Sequence, residues 1–66
     1  MTVTRMEAER RRLGMTKARL AREAGMNATT VMLISSGRLR PYVGQQERLE
    51  RVLGIEAGHL LEEVEG

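Results

Sequence analysis

Residues 16–36 read TKARLAREAGMNATTVMLISS, and the two helical repeats on either side of Gly25 decide the fold. In the first repeat, Leu20, Ala21 and Ala24 recur at i, i+1 and i+4, with Lys17, Arg19, Arg22 and Glu23 on the other positions, which makes one narrow apolar stripe on a charged helix. Ala21 and Ala24 are small enough for a second helix to cross closely. In the second repeat, Val31 and Ile34 form the inward pair with Thr30 at its edge, so Ala28, Thr29, Met32, Leu33 and Ser36 face outward. Thr16 and Asn27 are residue types whose side-chain oxygens accept from first-turn amides, which sets both helix starts. Gly25 supplies a left-handed cap, and Gly25-Met26-Asn27 leaves about three residues before the next start. The stretch predicts a tight helix-turn-helix whose outward flank is oddly apolar.

The same punctuation extends in both directions. Gly14, Gly37 and Gly54 each follow a helical run, Thr4 is placed to cap the first helix with Glu7 reaching back in a capping box, and Pro41 blocks helical continuation out of Arg38-Leu39-Arg40. No run between the glycines alternates with the period of a strand. The predicted architecture is all-α: one compact five-helix domain over residues 1–66, with helices at about 4–13, 16–24, 27–36, 44–53 and 56–62. Gly58 weakens the last of these.

Composition bounds the function. A chain of 66 residues holds a single core, and a core of that size seldom supplies more than about 3 to 5 kcal/mol, which makes self-association attractive. There is no Cys and only one His, His59, so disulfides, thiolate zinc sites and imidazole metal sites are not expected. Tyr42 is the sole aromatic residue, too little for a base-stacking platform. With 41% apolar and 30% charged residues the chain has the composition of a globule. Its longest strongly apolar run, Val31 to Ile34, falls far short of the ~20 residues a bilayer needs, so a cytoplasmic protein without a membrane partner is expected. No Asp, no Cys and no glycine-rich phosphate loop with its lysine are present, which argues against an enzyme and against a cofactor. His59 is expected on a solvated helix face, and the methionines, apart from Met1 and Met32, as core filler.

Charge is divided unevenly along the chain. Residues 1–40 carry nine Arg or Lys against three Glu, a net +6, whereas residues 41–66 carry two Arg against six Glu, a net −4. One basic region with an acidic remainder is the footprint of a polyanion binder.

The pattern Gly14-Met15-Thr16-Lys17, Leu20-Ala21, Ala24-Gly25-Met26-Asn27, Thr30-Val31, Ile34, Gly37 and Pro41, followed by Leu49, Val52-Leu53-Gly54-Ile55 and Leu60, resembles the Cro and phage-repressor helix-turn-helix family. The resemblance runs from about Arg5 to Leu61. It implies a lambda-repressor-like domain of five helices that binds double-stranded DNA as a homodimer and acts as a small repressor, with the third helix in the major groove and the second across the phosphate backbone. Carried over position by position, it implies base contacts from Lys17, Ala28, Thr29, Met32 and Leu33. Backbone contacts would come from Arg10, Thr16, Asn27, Thr30, Ser36, Arg38, Arg40, Tyr42 and Gly44.

Ala28, Thr29, Met32 and Leu33 stand where Arg, Lys, Gln or Asn usually reads bases. Thr29 can hydrogen-bond a base, and Ala28, the Thr29 methyl and Leu33 suit thymine methyl groups, which points to an A·T-rich preference of modest specificity. The same apolar flank also suits a second function, a docking module that keeps the fold and grips a partner protein. Leu39, Tyr42, Val43, Leu61 and Val64 are candidates for the dimer surface. The chain could equally be the reader domain of a longer protein. Glu9 and Glu50 stand where the family has apolar residues, so they are expected to turn outward or to pair, Glu9 with Arg10 or Arg12 and Glu50 with Arg51. Ser35 stands where the family has a Glu that would pair at the place of Arg10.

Overall fold

The chain forms β1 (Thr2–Thr4), α1 (Arg5–Arg12), α2 (Lys17–Ala24), α3 (Ala28–Ser35), α4 (Val43–Leu53) and β2 (Glu63–Glu65). The computed structural model describes every residue from Met1 to Gly66. Local chemistry sets the helix starts. Thr4 Oγ1 accepts from the Glu7 amide at 3.2 Å, Thr16 Oγ1 from Arg19 at 3.0 Å, and Asn27 Oδ1 from Thr29 at 2.7 Å. Gly25 closes α2 at φ +68°, a conformation that costs glycine nothing, and the Met26 amide then returns to the Ala21 carbonyl at 2.8 Å.

The helices meet in one core. Met6 of α1, Leu20 of α2, Val31 and Ile34 of α3, Leu49 and Leu53 of α4 and Leu60 beyond it are fully enclosed, joined by Met15, Ala21 and Ala24. Met6 and Met15 are thus core filler as expected, while Met1 and Met32 are exposed. No helix is long and apolar enough to cross a membrane.

The expectation of five helices and nothing else is overturned: the structure has four helices and a two-stranded antiparallel sheet. The segment expected as a fifth helix at about 56–62 makes turns instead, for two reasons. Gly58 sits at φ +86°, outside the helical region. The Glu50 carboxylate also captures amides of the segment: its Oε2 accepts from Leu60 N at 3.3 Å, a donor that a helix would bond internally, and from Gly58 N at 2.9 Å, as well as from Gln46 Nε2 at 3.1 Å. His59 therefore lies in a turn and not on a helix face.

From there the chain folds back on its own beginning. The Met6 amide donates to the Leu60 carbonyl at 2.9 Å and the Arg5 amide to the Glu62 carbonyl at 2.7 Å, leading into the pairs Thr4↔Glu63, Val3↔Val64 and Thr2↔Glu65. An ion pair reinforces the join, with Arg5 Nη2 at 2.7 Å from Glu62 Oε1, and His59 Nδ1 is hydrogen-bonded to Glu62 Oε2 at 2.9 Å. The Arg5 hydrogen bond, followed by that of His59, holds the Glu62 carboxyl below its ordinary range.

Of three side-chain expectations, those for Glu50 and Glu7 are corrected and that for Glu9 holds. Glu50 is only 4% exposed, yet no cation reaches it, Arg51 included, and three hydrogen-bond donors take the cation's place. Glu9 does pair, with Arg12 Nε at 2.7 Å. Glu7 does not complete a capping box with Thr4, because its carboxylate is turned to Arg10, Arg11 and Ser35.

Candidate nucleic-acid interface

The helix α3 is held from behind and open in front. Val31 and Ile34 anchor it in the core, and a second anchor comes from α1: Ser35 Oγ donates to Glu7 Oε1 at 2.7 Å. Arg10 grips the same carboxylate through Nε at 3.0 Å and Nη2 at 2.9 Å, while its Nη1 donates to the Met15 carbonyl at 2.6 Å. Arg10's hydrogen bonds lower the Glu7 pKa most, burial opposes them, and the Ser35 hydroxyl lowers it further, to about 2. Glu7 thus supplies from α1 the carboxylate that Ser35 lacks.

The opposite flank of α3 faces solvent. Ala28, Thr29, Met32 and Ser36 are exposed, Met32 to 50%, and Thr30 and Leu33 are half-buried. Past the helix the chain turns at Gly37, and the Leu33 carbonyl accepts from the amides of Arg38 at 2.9 Å and Leu39 at 3.2 Å. Pro41 is buried, which sets Arg38, Leu39 and Arg40 on one side and Tyr42, Val43 and Gly44 on the other, all exposed. Tyr42 is 79% and Val43 73% exposed, large values for an aromatic and a branched residue. Gly44 lies in the first turn of α4 with open space where a Cβ would stand, so the backbone there is free for close approach.

Charge around this flank is sharper than the sequence count. Five of the eleven cations are paired with four carboxylates: Arg5 with Glu62, Arg10 and Arg11 sharing Glu7, Arg12 with Glu9 and Arg19 with Glu23. Lys17, Arg22, Arg38 and Arg40, together with Arg48 and Arg51 of α4, have no such partner. The first four belong to α2 and to the loop that follows α3. The carboxylates with no Arg or Lys partner, Glu47, Glu50, Glu56, Glu63 and Glu65, belong to α4, the segment after it and β2.

The structure therefore groups most of the candidate residues and removes one. Thr16 and Lys17 open α2, Asn27 opens α3, Ala28, Thr29, Met32 and Leu33 share its outer flank, and Arg38, Arg40, Tyr42 and Gly44 follow it. Arg10 does not join them. Its side chain is committed to Glu7 and Met15 inside the fold, so the backbone contact expected of it is corrected to an internal support of α3. Among the dimer candidates, Leu39, Tyr42, Val43 and Leu61 are exposed, whereas Val64 is half-buried against Val3.

A cleft of about 410 Å³ adjoins the flank, lined by Lys17 of α2, Met32 and Ser36 of α3, and Thr2, Thr4 and Glu63 of the ribbon. The ribbon's place there escapes sequence reasoning, since TVT and EVE are too short for their alternation to signal strands. No group of metal-ligating side chains comes together. Comparison with protein-family models, curated proteins and solved structures finds no match.

Proposed function

We propose that this chain is a sequence-specific double-stranded DNA-binding transcriptional regulator, a small repressor acting as a dimer, and not an enzyme. The observation that carries the proposal is the seating of α3: two core anchors and a hydroxyl hold one side, and the other is exposed, with the unpaired Lys17 across a cleft from Met32 and the unpaired Arg38 and Arg40 in the loop that follows. A helix of this kind fits the major groove, whose width admits it, while Lys17, Arg22, Arg38, Arg40 and the amides opening α2 and α4 meet phosphates on either side. Thr16, Asn27, Thr30, Ser36, Tyr42 and Gly44 border the same path. Two copies related by a two-fold axis would present two such helices to half-sites one helical turn apart.

Binding to a duplex pool as salt is raised tests the proposal. Four cations meeting phosphates give a log–log slope of about −4 per protomer, roughly a hundredfold loss of affinity per protomer between 50 and 200 mM salt. Retention that ignores salt would refute it.

The exposed Met32 and its neighbour Leu33 favour a second reading, in which the flank grips a partner protein. Thr29→Asp combined with Leu33→Asp separates the two. Loss of DNA retention in a folded variant supports groove insertion, and retained DNA binding with loss of a co-purifying protein supports docking.

A further inference from the structure

We infer that α3 recognises its site chiefly through the C5-methyl groups of pyrimidines in the major groove, so that thymine, and equally 5-methylcytosine, is the chemical feature read. The inference rests on the DNA-binding proposal and specifies what the same surface selects.

Of the polar side chains on and flanking α3, only the Thr29 and Thr30 hydroxyls have no partner within the fold, and a single hydroxyl does not distinguish one base from another. Asn27 Oδ1 caps the Thr29 amide at 2.7 Å, Ser36 Oγ donates to the Leu33 carbonyl at 3.1 Å, and Ser35 Oγ donates to Glu7. No Arg, Lys, Gln or Glu occurs from Ala28 to Ser36, so the bidentate pairing that distinguishes guanine or adenine has no donor or acceptor fork on this helix. The flank offers the Ala28 methyl, the Thr29 methyl, the Met32 thioether and the edge of Leu33. In the major groove the only base-pair feature complementary to such groups is the methyl at C5 of a pyrimidine, which thymine carries and cytosine acquires on methylation. The occupant is a polyanion and not an apolar helix, because Lys17 shares a cleft with Met32 and Ser36 and the exposed Arg38 and Arg40 follow α3 directly, with no carboxylate paired to any of the three.

Replacing thymine by uracil removes that methyl and leaves Watson–Crick pairing and phosphate charge untouched. Duplexes are first enriched from a random pool with the whole chain, and the enriched site is then remade with uracil at each thymine in turn and with 5-methylcytosine at each cytosine. Each uracil at a contacted position should lower affinity about fourfold, the worth of one buried methyl. Restoring the methyl by placing a 5-methylcytosine·guanine pair at the same position should recover affinity relative to an unmethylated cytosine·guanine pair there. Thr29→Ser should weaken binding to the thymine duplex and add nothing further on the duplex carrying uracil opposite it, since both changes delete one contact. Enrichment of a site that is then indifferent to complete uracil replacement overturns this inference alone. Failure to enrich any duplex overturns the DNA-binding proposal beneath it.

Discussion

Glu7 is where single-residue chemistry has its largest structural effect. Its carboxylate is 8% exposed and holds Arg10, Arg11 and Ser35, tying α1 to α3. Because its folded pKa of about 2 lies below the ordinary 4.5, its contribution is present above the ordinary value and is lost as pH falls from about 5 towards 2. Glu7→Gln should cost about 2 to 3 kcal/mol at neutral pH and flatten the acid limb of the stability curve, read by denaturant titration at several pH values. An unchanged acid limb would show that another carboxyl sets it. Gly44→Ala gives the opposite sign for fold and function: it should raise stability by up to about 1 kcal/mol in a helical position with open space, and weaken duplex binding by filling the close approach. Calorimetry and a binding isotherm on the same sample check both. Local interactions at this scale are legible in the sequence, since Thr16 and Asn27 cap amides two or three residues away. The bond from Ser35 to Glu7 spans 28 residues and is not.

Among the elements, α2 and α3 follow from hydrophobic spacing, and their apolar stripes lie in the core as the spacing predicts. The end of the chain does not follow from spacing. Periodicity suggests a helix there, but Glu50 bonds amides eight and ten residues ahead, and β2 pairs with a strand at the far end of the sequence. Neither event leaves a local mark. Glu50→Ala should strip two amides of their acceptor, costing about 1 to 3 kcal/mol. Amide exchange at Gly58 and Leu60 should then accelerate well beyond that at Leu20 and Val31, and uniform acceleration would mean that Glu50 supports the whole core and not this segment. Ile34→Ala should cost about 2 to 5 kcal/mol and melt the protein as one unit, since α3 has no other large buried side chain besides Val31.

At the level of the whole molecule, neutralisation decides which surface can meet a polyanion. The sequence count already separates a basic front from an acidic end, but only the folded chain shows that Arg5, Arg10, Arg11, Arg12 and Arg19 are paired with carboxylates. Of the cations left free, Lys17, Arg38 and Arg40 lie beside or directly after α3, whereas on α4 Arg48 and Arg51 stand among Glu47 and Glu50, so the flank of α3 and not α4 is the surface that orients the molecule on DNA. That orientation is the centre of the account, and mapping amide chemical shifts as an enriched duplex is added tests it most directly. Changes should concentrate at Thr16 and Lys17, along Ala28 to Ser36, and from Arg38 to Gly44, leaving Glu47 to Glu62 nearly still. Changes centred on the later helix and the ribbon, with α3 silent, would contradict it.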